Sequence, residues 1–323
     1  VMPESQTTMN SSIKLYLEKE NQNLTTGIEV YENLGTKHSD RYQYTLPYYD
    51  FSKNLTSIIT DNSINGSLNF YSTGTNKLSN TNNLRTTVVN DFNYTSNDFI
   101  SKLGFKNNFD LYFKNLNAVG KNDSIYTSDT QIDGMSILKL DSSFPLLKSK
   151  NMIKETLTPK ISFRINPGNN MDNYSSSSAN ISANNAFDIN RLGISNDFEA
   201  GRSLTFGLNY KFSKLENDQS EDAINKHLEF KLATVFRDQN ENDIPISSTI
   251  NRKTSDIFGS INNNLFNNVN ISYDFSLDND LQTLNSNSIN TEININNFVT
   301  SFNFIETRNE LGSTHLLSNT TEY

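Results

Sequence analysis

Few side chains in this sequence have the type and spacing that catalysis would need. The three histidines, His38, His227 and His315, are far apart in the chain, and each is close to a predicted turn or strand end. The carboxylates Asp278 and Asp280 fall in a predicted turn, where Asp is favoured for its local hydrogen bonding. No glycine-rich phosphate loop and no Gly-x-Ser-x-Gly nucleophile is present. We therefore expect no catalytic residue, no enzyme activity, no cofactor-binding residue and no cofactor.

A short acidic stretch is the closest approach to a metal site. Asp238, Asn240 and Asn242 imitate the first ligands of a calcium-binding loop. Such a loop also needs a glycine at its sixth position and a bidentate glutamate at its twelfth. Here the glycine is missing, and Thr249 stands in the place of the glutamate. We expect a turn at this position and no metal ligand in the chain.

The elements that would carry any function are strands with two unlike faces. In residues 204–211, Leu, Phe, Leu and Tyr alternate with Thr, Gly, Asn and Lys. A side-chain period of two places the apolar residues on one face and the polar residues on the other. The same alternation recurs along the chain, for example at residues 157–166, 228–233 and 269–277. The pattern predicts an all-β, antiparallel protein with roughly 14–16 strands of about 8–12 residues.

Composition excludes several partners. The net charge is −9, so no basic surface is available for nucleic acid. The chain has no cysteine, and no apolar run is long enough for a transmembrane helix. Only 34% of residues are hydrophobic, yet aromatic residues reach 11%, which is too many for a disordered chain.

A transmembrane β-barrel explains this combination of low hydrophobicity and one-sided strands. Its strands turn apolar side chains to lipid and polar side chains to the lumen, and closure removes the strand edges. A soluble sandwich array or β-solenoid also alternates, but no domain boundaries divide this chain. We predict the barrel and keep the soluble alternative. The candidate lumen-facing residues are Lys160, Arg164, Lys211, Glu229, Lys231 and Asp274.

A longer motif runs from Phe144 to Phe212. It begins with Phe-Pro-Leu at 144–146 and Leu-Thr-Pro at 157–159, continues through Phe-Asp at 187–188, and ends with Gly-Leu at 207–208. This segment resembles the C-terminal barrel domain of the LPS-assembly protein LptD family, also called organic solvent tolerance proteins. The residues that carry the resemblance are Pro145, Pro159, Pro167, Asp188, Asn190, Arg191, Phe198, Glu199, Gly201 and Gly207.

The sequence departs from the family pattern at two places. Thr158 stands where the family usually has Glu, and Asn196-Asp197 stands where an Asp-Arg pair is expected. Any salt bridge made by that Arg is lost or replaced here. We interpret the turn from Asn190 to Gly201 as a structural loop that folds into the lumen or against neighbouring loops, in preference to a direct head-group contact. Pro159 and Pro167 mark ordinary or weakened strand positions, because proline removes a ladder hydrogen bond.

The resemblance implies a location and a set of partners. It implies an outer-membrane protein of a Gram-negative bacterium that inserts lipopolysaccharide into the outer leaflet, without enzyme activity. It also implies an LptE-like plug lipoprotein, periplasmic bridge proteins that deliver lipopolysaccharide through a jelly-roll domain, and outer-membrane lipid. We expect residues 1–323 to be part of a large barrel of this kind, without the jelly-roll domain and the terminal gate strands.

Two other functions stay open at this stage. A porin or receptor would be another outer-membrane barrel, but a plug domain or a terminal aromatic strand is not visible. A secreted adhesive β protein would normally have a regular internal repeat, and the strand spacing is irregular.

Overall fold

The computed structural model describes residues 7–35, 41–56, 65–150, 152–168, 179–193, 198–214, 226–266, 268–295, 298–309 and 312–322. These residues contain 17 strands, two of which have only two and five residues. The remaining 15 agree with the predicted number, and every strand pairing for which a register is defined is antiparallel. No helix in the described ranges is both long and apolar enough to cross a membrane.

The chain divides into two compact units. The first comprises residues 1–97 and 109–138, and the second comprises 98–108 and 139–323. Strands β7 and β8 each contribute residues to both units. The strands of the first unit and the two shared strands are β1 (Thr8–Lys19), β2 (Gln22–Asn33), β3 (Tyr42–Asn54), β4 (Gly66–Ser79), β5 (Asn83–Ser96), β7 (Lys106–Lys121) and β8 (Gln131–Ser143).

Most strands of the second unit follow an up-and-down order. From β10 to β17, each strand pairs with the next one along the chain. Its strands are β6 (Phe99–Ile100), β9 (Leu146–Lys150), β10 (Ile153–Asn166), β11 (Gly201–Lys214), β12 (His227–Arg237), β13 (Ile257–Phe266), β14 (Val269–Leu277), β15 (Leu284–Ile295), β16 (Phe298–Asn309) and β17 (Gly312–Glu322).

An aromatic row crosses four strands of the first unit. Phe51, Phe70, Phe92 and Phe113 follow one another with ring centroids 6.1, 4.6 and 6.4 Å apart. Phe70 and Phe92 are direct cross-strand partners, as are Phe92 and Phe113. Neighbouring rings on one face stabilise the pairing of their strands. Phe92 and Phe113 are nevertheless 40% and 47% exposed, so this part of the row is accessible from outside the sheet.

The second unit buries its polar face and exposes its apolar face. In β11, Ser203 and Thr205 are buried, whereas Phe206 is 43% exposed. Phe236 on β12 and Ile271 on β14 are likewise exposed. This is the reverse of a soluble sheet, in which the apolar face packs inward.

Two long connections cover the polar face. We call residues 167–200 the first covering loop and residues 238–256 the second. Because β10 and β12 run in the same direction beside β11, both loops leave the sheet at the same end of their strands. The polar composition of residues 167–200 predicts a loop and not a core element. The described part is a loop without strands, but it contributes Ile181, Ala183 and Ala186 to the buried core cluster.

Apolar side chains explain why the loops pack there. A hydrophobic cluster joins both covering loops to strands β12 and β13, although it lies on the polar face. Its buried members are Ile181, Ala183, Ala186, Ala233, Val235, Ile244, Ile250 and Phe258. Removal of this apolar surface from water supplies a driving force that the polar residues around it cannot supply.

We predict that Ile250→Ala releases the second covering loop. Ile250 is completely buried, and truncation of a buried Ile to Ala costs about 2–5 kcal/mol. Trypsin can then cut after Arg252 or Lys253, which are exposed in the same loop. The rate of cutting at these two sites should rise by about tenfold or more. Ile246→Ala is the matched control, because Ile246 lies in this loop but is 49% exposed. Equal rates of cutting in the two variants would show that Ile250 does not hold the second covering loop in place.

Candidate functional site

A buried ionic cluster lies where the first covering loop returns to the sheet. At its centre is Glu199, two residues before β11, with its side chain 2% exposed. Arg191 donates from Nε to Glu199 Oε2 at 3.0 Å and from Nη2 to Glu199 Oε1. The same guanidinium donates to Ser203 Oγ at 2.9 Å and to Thr205 Oγ1 at 3.1 Å. The pair therefore joins the loop to the polar face of β11.

Two further arginines bind the same carboxylate from neighbouring strands. Arg164 on β10 donates from Nη1 to Glu199 Oε1 at 3.2 Å and to the Glu199 carbonyl oxygen at 2.9 Å. Arg237 at the end of β12 donates from Nη1 to Glu199 Oε1 at 3.3 Å and from Nη2 to the Ala200 carbonyl oxygen. The carboxylate of Glu199 thus connects β10 and β12 to the first covering loop, and Arg191 connects that loop to β11.

The electrostatics of the cluster are dominated by the arginines. Burial alone would raise the pKa of Glu199, but Arg191, Arg164 and Arg237 hold it at about 2. Glu241 adds a second carboxylate at 3.8 Å from Arg237. With three guanidinium groups and two carboxylates, the cluster keeps one excess positive charge. Buried charges at this density are tolerated only when they are paired and hydrogen-bonded.

A glycine on β11 allows a ring to rest on the sheet beside the cluster. A Cβ at Gly207 would lie 2.6 Å from the ring of Phe187 in the first covering loop. The ring therefore occupies the space that any other residue would fill. Lys160, the cross-strand partner of Gly207, places its Nζ 5.9 Å from the same ring. Such a cation–π contact adds a modest attraction.

The other residues of the family motif have local structural roles. Phe198 is buried, and Asn166 Nδ2 donates to its carbonyl oxygen at 3.4 Å. Gly201 has a φ of +86°, a conformation that residues with a Cβ rarely adopt. The Asp188 amide donates to the Asn185 carbonyl oxygen at 2.9 Å in a turn.

The remaining motif residues lie at turns and strand ends. The backbone carbonyl oxygen of Asn190 accepts a hydrogen bond from the Gly193 amide at 3.3 Å. Pro145 lies in the break between β8 and β9, and Pro167 follows the last residue of β10. Pro159 lies inside β10, where its carbonyl oxygen accepts a hydrogen bond from the Phe144 amide at 3.0 Å. The expected departure at residues 196–197 lies outside the described residues.

The candidate lumen-facing residues lie on the polar face of their strands, in three environments. Arg164 is covered by the first loop, as described above. Lys231 bridges Asn184 of that loop at 2.9 Å and Glu229 at 3.2 Å. Glu229 also accepts a hydrogen bond from Asn209 at 2.9 Å, and Lys211 is close enough to act on it electrostatically. Asp274 is half-buried on β14.

Two important polar residues, Arg237 and Asp256, were not among the candidate residues of the sequence analysis. Arg237 continues the period-two row of Glu229 and Lys231, so extending that row would have found it. Asp256 is completely buried. Asn166 lies in register with Arg164 on the polar side of the alternation at residues 157–166.

The side chains first considered for chemistry are not gathered into one place. Asp238 pairs with Arg202 at 3.0 Å, and Asn240 accepts a hydrogen bond from the Lys253 amide at 3.0 Å. His315 is exposed and lies 3.7 Å from Glu306. His38 lies outside the described residues. Within the described ranges, no group of three or more potential ligands could hold a metal ion.

Together these observations define a class of protein. An antiparallel sheet with an exposed apolar face and a polar face that is covered by its own loops is the arrangement of a transmembrane β-barrel wall. The particular family follows from comparison with known families. The chain matches the family described as "LptD: LPS transport system D" over residues 2–321, and it belongs to this family. This family of Gram-negative outer-membrane proteins acts in lipopolysaccharide transport and outer-membrane assembly. Comparison with curated proteins finds none that matches the chain.

We predict that Glu199→Gln strongly destabilises the second unit. The change leaves Arg164 and Arg191 without a carboxylate and Arg237 with Glu241 alone, and loss of one member of a buried ion pair costs about 3–5 kcal/mol. Urea unfolding in detergent micelles measures the loss. Glu155→Gln is the control, because the Glu155–Lys148 pair is exposed and should contribute less than about 1 kcal/mol. A loss no larger than in the control would show that the cluster contributes nothing to stability.

The depressed pKa of Glu199 also predicts a pH dependence. Its folded value of about 2 is below the ordinary value of 4.5, so the ionised group stabilises the folded state above pH 4.5. This contribution is lost as the pH falls from 4.5 through about 2. The thermal midpoint followed by far-UV circular dichroism should therefore decline less over this range in Glu199→Gln than in the unmodified chain. An equal decline of the thermal midpoint in the two proteins would refute the stabilising role of ionised Glu199.

Proposed function

We propose that this chain forms part of the wall of a translocon that inserts lipopolysaccharide into the outer leaflet of the outer membrane. Residues 1–323 would then belong to the C-terminal barrel domain of the protein. The observation that supports the proposal is the division of the second unit into an exposed apolar face and a loop-covered polar face. Family membership favours this function over the porin, receptor and adhesin alternatives.

The apolar face would contact acyl chains. Phe206, Phe236 and Ile271 are exposed there, and in the first unit the row that includes Phe92 and Phe113 is exposed as well. In water, so much exposed apolar surface would promote aggregation. In a bilayer, the same surface needs no further covering.

The polar face would solvate the sugars and phosphates of lipopolysaccharide. Lys160, Lys211, Glu229, Lys231 and Asp274 give it both signs of charge. A lumen with both signs can exchange hydrogen bonds with a passing head group without holding it at one place. The acyl tails of lipopolysaccharide would move toward the bilayer, and the protein would act as a passive conduit.

The covering loops would limit the open part of the lumen. The ionic cluster around Glu199 fixes the first loop, and the hydrophobic cluster fixes both. Partners of the complete protein would be an LptE-like plug lipoprotein and the periplasmic proteins that deliver lipopolysaccharide through a jelly-roll domain.

The proposal predicts different crosslinks from two adjacent residues of β11. A benzophenone amino acid at Lys211 should crosslink to lipopolysaccharide through its sugar portion in growing cells. The same group at Tyr210, on the opposite face, should crosslink through acyl chains. Mass spectrometry of the digested adducts identifies the attached portion.

The Lys211 adduct should disappear when lipopolysaccharide synthesis is stopped. Depletion of the protein should also remove newly made lipopolysaccharide from the cell surface, as measured with antibody on intact cells. Unchanged surface lipopolysaccharide after depletion would overturn the translocon assignment. Sugar adducts from Tyr210 and not from Lys211 would overturn the assignment of the faces.

A further inference from the structure

A cavity of about 560 Å³ opens in the second unit. The covering loops form one wall, and the polar side of β13 to β16 forms the other. Sites for small molecules typically have volumes of about 300–1,000 Å³, so the cavity is large enough for an organic ligand. It is separate from the ionic cluster, because none of Arg164, Arg191, Glu199 and Arg237 lines it.

A single buried carboxylate holds the two walls of the cavity together. Asp256 accepts hydrogen bonds from Ser276 Oγ at 2.6 Å and from Asn285 Nδ2 at 2.8 Å, both on the sheet wall. Arg252, on the loop wall, donates to its other oxygen at 2.9 Å. The Asp256 amide in turn donates to Thr249 Oγ1 at 3.1 Å. The walls are therefore fixed in place before any ligand enters.

The charges around the cavity are already paired. Of its two arginines, Arg252 is paired with Asp256 as described, and Arg308 is 2.7 Å from Glu306. A further carboxylate, Asp278, also lines the cavity. A phosphate group would have to compete with these carboxylates for the arginines, so the site is poorly suited to a dianion.

Most of the remaining lining consists of neutral hydroxyl and amide groups. On the loop wall these groups include Thr249 and Asn251. Ser286 and Thr307 add hydroxyl groups on the opposite wall.

Apolar surface completes the cavity. Ile246 is 49% exposed, and Ile181 and Phe258 also contribute to the lining. Hydroxyl and amide groups interspersed with apolar surface suit a sugar ring, which has hydroxyl groups on its edge and C–H groups on its faces.

We propose that this cavity binds uncharged sugar units of the lipopolysaccharide glycan. The inference rests on the proposed function, and it adds that neutral sugars, in preference to phosphates, are recognised between the covering loops and β13 to β16. Asp256 is a positioning residue, whereas Ser286 and Thr307 contact the sugar.

The test uses the full chain, purified and folded in detergent, and two forms of one glycan. The glycan is obtained from the lipopolysaccharide of the parent bacterium by removal of lipid A, and half of it is dephosphorylated enzymatically. Saturation-transfer difference NMR then measures the binding of each form, and broadening of the ³¹P resonance measures the binding of inorganic phosphate as a third probe. We expect the dephosphorylated glycan to bind at least as tightly as the phosphorylated form, and phosphate alone not to bind.

Two matched substitutions on β15 locate the site. Ser286→Tyr places a ring in the cavity and should abolish binding. Ser288→Tyr introduces the same ring two residues further along the same face, outside the cavity, and should leave binding unchanged. Thr307→Val removes one hydroxyl group of the lining and should weaken binding about fivefold, as expected for one lost hydrogen bond. Far-UV circular dichroism checks that each variant is folded.

The outcomes separate this inference from the proposed function. Binding that is lost in Ser286→Tyr and retained in Ser288→Tyr supports the cavity. Absence of glycan binding to the folded chain, equal binding by both tyrosine variants, or binding that requires phosphate would overturn it. The translocon assignment depends instead on surface lipopolysaccharide after depletion, so either proposal can fail while the other stands.

Discussion

Burial removes the hydrating water from the carboxylate of Glu199. The arrangement of the second unit depends on the groups that replace this water. Three guanidinium groups from β10, β12 and the first covering loop replace the solvent around it. Each of these groups would be costly to bury alone, and the cluster is tolerable only because all of them meet at one oxygen pair. The loop can therefore occupy the polar face only when the three strands beneath it are correctly paired. Ionic pairing supplies the position of the loop, and the hydrophobic cluster supplies much of the energy that keeps it there.

This division of roles explains why the unit is inverted relative to a soluble protein. A soluble sheet would turn Phe206 and Ile271 inward and leave Arg164 and Thr205 in water. Here the apolar face is left for acyl chains, so the protein must build its own interior on the polar side. It does so with few apolar side chains, such as Val235 and Ile250, set among serines, threonines and arginines. Belonging to a lipopolysaccharide transport family is consistent with an interior of this kind, because a glycan needs polar walls.

The sequence was sufficient for the strands and their faces. The period-two alternation around residues 204–211 identified both sides of β11, because one residue faces each side in turn. The same reasoning found Arg164 and Lys231 on the polar face. It did not find the meeting of Arg237 with Glu199, which are 38 residues apart, since alternation indicates a face and says nothing about a partner across it. The alternation also did not predict the packing of the first covering loop, because Ile181, Ala183 and Ala186 form no periodic pattern within a polar segment.

The ionic cluster also imposes an energetic penalty on an incorrect register of the strands. If β10 slipped by one residue against β11, every side chain on it would change faces, and Arg164 would point toward the acyl chains. Arg164 lies two residues before the end of β10, where an arginine on the lipid face of a barrel costs up to about 1 kcal/mol, and Glu199 would lose a partner at the same time. A misaligned sheet is thus penalised on both of its sides by a single residue.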